Sequence, residues 1–427
     1  MLIYAPVSSS RLQYICKFIF QEYLGVSHSI TTHKESFASH DGAKINYSRE
    51  PVDGGGLWMK NHALLFETTI QQQDVSCFVH DGYKAFFRTD AGDFAFDILA
   101  ASFYLLSRYE EYLPHEKDEY GRFAHHNSLA FKEGFLKQPL ADHWLEAFAH
   151  QIKTAYPHIR LRQKKFTYLP TYDIDIAWSY KSKGLLRNVG GFVKSPSLQR
   201  IAVLAGLQQD PFDCYDFLHE LHSKEGLSPL YFFLVATGSS EYDKNISPFN
   251  MRMWRLIKAH AKRYQVGLHP SWRSFEKPAL IAKEKKNIET AGNTTVTKCR
   301  QHYIKMELPA TYEHLLDAGI TADYSMGYGS INGFRASIAC SFLWYNLSTE
   351  IITPLRIHPF CFMDANSFFE QKQDASTSLQ ELLHYYDECK QVRGEMISIF
   401  HNNVLGTHPM FKGWREMYEQ FITQVQQ

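Results

Sequence analysis

Hydrophobic and polar positions change period along this chain, and the change divides it. LIYAPV at the start reads as a strand. Ser9 or Ser10 then caps a helix with Leu12, Ile15, Ile19 and Tyr23 on one face, stopped at Gly25. HALLFE, SCFVHDG and KAFFRTD are short strand-like runs. FDILAASFYLLSRYEEYL, 96–113, is apolar at Ile98, Leu99, Phe103, Leu106 and Tyr109, which predicts a long helix. A polar turn, HEKDEYGRF, follows it, and the charged IRLRQKK at 159–165 marks a boundary. Residues 1–160 therefore read as an N-terminal α+β domain with no chemical motif, a scaffold or substrate-shaping unit.

From 166 onward strand and helix alternate. The candidate strands are FTYLPTYDID, SPLYFFLVAT, YQVGLH, VTKCRQH, ITADYS, STEIITPLRIH and EMISIFHN. Helical segments separate most of them: FDCYDFLHELHSKEG, FNMRMWRLIKAHAKR, PALIAKEKKNIETAG, PATYEHLLDAG and SLQELLHYYDECKQV. Seven strands alternating with helices predict an α/β sheet, open or closed, over 161–427. The Gly- and aromatic-rich stretch 326–350 shows no clear helix.

Composition narrows the partners. The 427 residues carry 45 Lys plus Arg and 45 Asp plus Glu, and this zero balance argues against nucleic acid or an anionic membrane as the main partner. At 44% hydrophobic the chain can build a sizeable core, yet no apolar run reaches the length of a membrane span. The first residues lack a basic lead and an apolar stretch ending in small residues, so a cytoplasmic location is expected. Seven scattered cysteines without C-x-x-C fit reduced thiols. The oligomeric state is not readable.

The reactive residue types fall at the C-terminal ends of predicted strands: Asp173 and Asp175, His269, Arg300 and His302, Asp323, and His401. That edge is where α/β sheets and barrels build their sites. Asp173 and Asp175 share a strand face and repel unless a cation joins them. One carboxylate would bind a metal and the other stay free as a base; a turn or helix cap is the plain alternative. Arg300 could orient Asp173 or make only a surface ion pair, and each histidine could be an ordinary polar residue. His401 could protonate a leaving group or cap a turn beside Asn402 and Asn403. An aspartate with two histidines is a familiar ligand set for a hydrolytic divalent metal. Trp178, Trp272 and Tyr328 follow motif positions and could form a sugar platform or fill core.

These residues carry a family resemblance. TYDID resembles the first motif of the polysaccharide deacetylases, carbohydrate esterase family 4, and VGLHPSW their metal-binding histidine motif. CRQHY sits where the arginine-bearing motif falls, and SIFHNN resembles the last motif. DYSMGY with GFRAS, and FYLLSRYEEYL with DEYGRF, resemble a variant subfamily, typical of Bacteroidetes, with an extra N-terminal domain. The resemblance implies a distorted (β/α)7 barrel preceded by a smaller α+β domain. It implies Asp173 as general base, Arg300 as its orienting partner, His401 as general acid, and Asp175 and His269 as metal ligands. The family's second motif histidine is replaced here by Arg273, and His302 is the proposed third ligand. Arg335 of GFRAS would bind a substrate anion or brace Asp323, with Trp272 and Tyr328 near the substrate. The implied cofactor is a divalent metal, zinc first, with cobalt, manganese, nickel or iron as alternatives. The implied activity is metal-dependent removal of N-acetyl groups from amino sugars of a polysaccharide or its precursor. Two alternatives stand beside it: hydrolysis of a small non-peptide amide, and a catalytically degenerate relative that only binds glycan.

Overall fold

The structure is a computed structural model that describes residues 1–182, 197–238 and 240–425. The chain forms two compact units. The first comprises Met1–Thr167, Phe334–Pro359 and Glu388–Glu395; the second comprises Tyr168–Gly333, Phe360–Asp387 and Met396–Gln427. Among the described residues no helix is long and apolar enough to cross a membrane. All seven cysteines are free thiols.

In the first unit a parallel four-stranded sheet has the order Ser29–Thr31, Leu2–Tyr4, Lys44–Tyr47, Leu57–Met59. Ser9 caps the helix Ser10–Cys16 by accepting from the Leu12 N–H. The helix runs on as the π-helical turn Lys17–Tyr23, and Leu12, Ile15, Ile19 and Tyr23 are all buried, as the periodicity predicts. HALLFE is not a strand. It forms a 3-10 turn, Ala63–Phe66, because His62 caps it through Nδ1 on the Leu64 N–H.

The long helix expected over 96–113 is also shorter than its periodicity suggests. Asp97 caps Ile98–Leu106, then Arg108 adopts a left-handed φ of 54° and a 3-10 turn takes over at Tyr109–Tyr112. At this break Arg108 turns inward and donates to Glu111 at 2.7 Å and to Glu110 at 2.7 Å. STEIITPLRIH alternates as a strand should, but it pairs antiparallel with Phe342–Asn346 as Ile351–Ile357, a hairpin of the first unit.

Among the described residues seven strands lie in the second unit, the first and last beginning one residue before it: β1 Thr167–Ile174, β2 Leu230–Leu234, β3 Gln265–His269, β4 Lys298–Cys299, β5 Ala322–Asp323, β6 Phe362–Met363 and β7 Glu395–His401. The seventh strand missing from the sequence pattern is β6, two residues long. The order is β5-β4-β3-β2-β1-β7-β6, and among the described residues no pairing joins β5 to β6. The pairs β1–β2, β2–β3, β3–β4, β4–β5 and β6–β7 are parallel. The helices Tyr215–Glu225, Met251–Ala261, Ala279–Gly292 and Ala310–Asp317 connect the first five strands, and Ala375–Gln391 joins β6 to β7. β2 is buried along its whole length, as expected for a parallel sheet covered on both faces. Gly267 in β3 is required by close packing: a Cβ there would lie 2.5 Å from the Phe232 ring. That ring in turn supports the Arg300 guanidinium, 4.4 Å from its centroid.

Candidate metal and catalytic site

The parallel strands bring their C-terminal ends to one edge. Asp175 lies one residue beyond β1, His269 closes β3, Arg300 and His302 follow β4, and His401 closes β7. Period-two alternation places Asp173 and Asp175 on one face while Tyr172 and Ile174 fill the core on the other.

Three side chains converge on Asp175. His269 Nε2 lies 3.1 Å from Oδ1, His302 Nε2 3.5 Å from Oδ2 and His401 Nε2 3.5 Å from Oδ2. The ligand atoms of Asp175, His269 and His302 all lie within 4.8 Å of one another, a grouping that excludes His401. Each ring is held from behind. His269 Nδ1 is 2.6 Å from the Arg300 carbonyl, His302 Nδ1 is 3.3 Å from Asp243, and His401 Nδ1 is 2.6 Å from Asp364. An acceptor at Nδ1 fixes the proton there, so the Nε2 lone pairs of His269 and His302 face a carboxylate.

Lone pairs facing a carboxylate need a cation between them. Asp175 Oδ1 is buried with His269 Nε2 3.1 Å away, and His302 Nε2 lies against Oδ2 at 3.5 Å. The electrostatics state the same demand in protons. Burial opposes ionisation of Asp175, but His302 and His269 hold its carboxyl well below the usual range. Burial likewise disfavours a charged His302, yet Asp175 and Asp243 push it up to about 9. One aspartate oxygen and two imidazole nitrogens, each with its back fixed, fit a divalent metal that would enter by displacing those protons.

Asp173 and His401 flank this group. Asp173 is buried, and its Oδ1 accepts from Arg300 Nη1 at 2.9 Å, while Oδ2 sits 3.7 Å from His269 Nε2. Arg300 is fully buried and also donates from Nε to the Tyr324 carbonyl, so its aim at Asp173 is fixed at two points. Asp364 accepts both the His401 N–H at 2.7 Å and its Nδ1–H. Against the penalty of burial, Asp364 pushes His401 up to about 10, which keeps its Nε2 protonated at neutral pH.

The remaining predicted residues serve other ends. Arg335 neither braces Asp323 nor stands open to an anion: it lies in the first unit, buried, donating to Glu111 at 2.8 and 2.6 Å. Asp323 is buried and accepts from Tyr312 and from the Ser325 N–H and hydroxyl, closing the turn after β5. Tyr328 is buried among the core residues. Trp272 is half-buried, stacked on Tyr242 at 3.9 Å with Lys305 Nζ 3.6 Å from its ring centroid. Arg273 is exposed and makes no part of the group around Asp175. Two partners escaped the sequence reading. Asp364 directly follows β6, a strand too short to show its period in the sequence, and Asp243, in the polar loop EYDKN, gave no signal.

Comparison with known proteins adds the following. Residues 1–157 match a family of unknown function, DUF7033. No curated protein matches the chain. Solved structures similar to it include polysaccharide deacetylases, and one, from Mycobacterium smegmatis, is 10% identical over 62% of this chain and 85% of its own, with a TM-score of 0.41. Puue allantoinase is 9% identical over 61% of this chain and 84% of its own, with a TM-score of 0.39. A CE4 family pseudoenzyme from Bacillus anthracis is 12% identical over 61% of this chain and 60% of its own, with a TM-score of 0.31.

Proposed function

We propose that the second unit is a metal-dependent hydrolase that removes N-acetyl groups from amino sugars of a polysaccharide or its precursor. The observation that carries this reading is the convergence of Asp175, His269 and His302 beside the pairs Asp173–Arg300 and His401–Asp364. The motif resemblance of TYDID, VGLHPSW, CRQHY and SIFHNN supports it. The seven strands read as a distorted (β/α)7 barrel. In support, one apolar cluster takes Leu230 and Phe232 from β2, Met363 from β6 and Ile397 and Ile399 from β7, together with Tyr324 just past β5.

Asp175, His269 and His302 would hold the cation, zinc in the first instance. A divalent metal supplies Lewis acidity toward a carbonyl oxygen and lowers the pKa of water. The chain supplies the proton traffic. Asp173, oriented by Arg300, accepts a proton from the attacking water. His401, charged through its contact with Asp364, gives a proton to the departing amine. The products are acetate and a free amino sugar.

The test is acetate release from N-acetylhexosamine oligomers by the purified chain with Zn, Co, Mn or Ni. Wild type is expected to release acetate, and Asp173→Asn to lose activity by a factor on the order of 100 to 10,000, the usual worth of a general base. No release with any of these metals, or an Asp173→Asn variant as active as wild type, overturns the reading. The alternative, a relative that binds glycan without hydrolysis, has its own motive in Arg273 standing where the resemblance expects a histidine. It is favoured if the purified chain takes up no metal.

A further inference from the structure

We propose that Asp243 is a positioning residue that makes His302 the third ligand of the metal site. The proposal rests on the metal-site reading above and extends it. It explains how a chain with Arg273 at the expected histidine position completes its ligand set.

Asp243 is 1% exposed, and both of its carboxylate oxygens are engaged. Oδ1 accepts from the Trp272 N–H at 2.8 Å and faces His302 Nδ1 at 3.3 Å; Oδ2 accepts from the Ser240 hydroxyl at 3.1 Å. One buried carboxylate thus ties the turn after β3, which carries Arg273, to the turn after β4, which carries His302. An imidazole can present either nitrogen. With Nδ1 donating to a carboxylate, only Nε2 has a lone pair, and that atom faces Asp175.

The local backbone gives a second, independent observation. Tyr303 and Ile304, directly after His302, both have left-handed φ, 58° and 53°. A β-branched residue in that region is an outlier, and such strain persists only where the surroundings over-determine it. Here Tyr303 packs edge-on to Trp272 and Tyr242, the residues flanking the Asp243 contacts. The strained turn and the buried carboxylate act together to aim one ring.

The experiment measures Zn²⁺ affinity of the metal-free full chain by competition with a chromophoric chelator. The variants are His302→Ala, Asp243→Ala, Asp243→Asn, Asp243→Glu and the double Asp243→Ala/His302→Ala. Loss of an outer partner of a ligating histidine typically weakens metal binding about 10–100-fold, and that loss is expected for Asp243→Ala. His302→Ala should lose at least as much, and the double variant no more than His302→Ala alone, because Asp243 acts through His302. Asp243→Glu should recover part of the affinity, and Co²⁺ visible spectra should change alike in the two single alanine variants. Asp243→Asn keeps an oxygen that can accept from both the Trp272 N–H and the His302 Nδ1–H, so it removes the charge and leaves the aim, and it should bind more tightly than Asp243→Ala. If Asp243→Ala and Asp243→Asn bind within twofold of wild type while His302→Ala does not, the positioning role falls and the metal site stands. Losses that multiply in the double variant also overturn it. If His302→Ala binds like wild type, the ligand set itself is wrong.

Discussion

Each unit buries a cluster of charges, and the two clusters are built on opposite principles. In the first unit Glu111 is clamped by Arg108 and Arg335: Oε1 accepts from both Nε atoms at 2.7 and 2.8 Å, and Oε2 accepts from Arg335 Nη2 at 2.6 Å. Arg108 also donates to the Arg335 carbonyl. The carboxylate is saturated. In the second unit the Asp175 side chain is 24% exposed, and His269 and His302 crowd it through Nε2 atoms that would share a cation with it, while His401 stands beside them. A closed set of complementary charges stabilises a fold. An open set, with every donor held from behind, is prepared for something else. Buried charge alone therefore does not mark a site; unspent valence does.

That contrast predicts unequal responses to the same substitution. Glu111→Ala removes the carboxylate that two buried guanidiniums share, and arginine cannot lose its proton to escape. The expected cost is about 3–5 kcal/mol, the usual loss when a buried pair is broken from one side. Asp175→Ala leaves histidines, which can deprotonate, so the metal-free chain should lose less than Glu111→Ala does. Urea unfolding of both variants without metal checks this. Equal losses would break the comparison.

Acid sharpens the same distinction. Burial opposes ionisation of Glu111, but Arg335 and Arg108 lower its pKa from the ordinary 4.5 to about 2. A depressed carboxylate contributes stability above its unfolded pKa and loses it as pH falls through the folded one. The stability difference between wild type and Glu111→Gln should therefore shrink by about 3 kcal/mol as pH drops from roughly 4.5 to 2. Burial lifts Asp97 to about 6, which works in the opposite direction, and taking the difference between variants removes it. A gap that stays constant over this window would show that Glu111 is not ionised in the fold.

How much of this was legible in the sequence depends on the range of the cause. Strand-end positions follow from local alternation, so Asp173, Asp175, His269, Arg300, His302 and His401 could be listed together from the chain alone. Asp364 follows a two-residue strand, too short to show a period. Asp243 sits in a polar loop, where an aspartate is ordinary, and its meaning comes only from Trp272 and His302 across space. Arg335 went astray for the same reason: its partner lies 224 positions away, and no local pattern names Glu111.

Arg273 gives the smallest expected effect and the finest test. Sequence comparison with the family motif makes it look like a damaged ligand position. Its surroundings do not. Arg273 is exposed, on the 3-10 turn Trp272–Ser274, and Asp175, His269 and His302 come together without it. Arg273→Ala should therefore change stability by no more than about 0.5 kcal/mol, as surface substitutions do. Zn²⁺ affinity should stay within about twofold, because no contact to His302 or Asp243 is lost. Arg273→His carries the sharper outcome. If the site is complete, an added histidine at that position gains nothing in affinity. A gain of tenfold or more would mean that the second unit, unlike the saturated cluster around Glu111, still lacks a ligand.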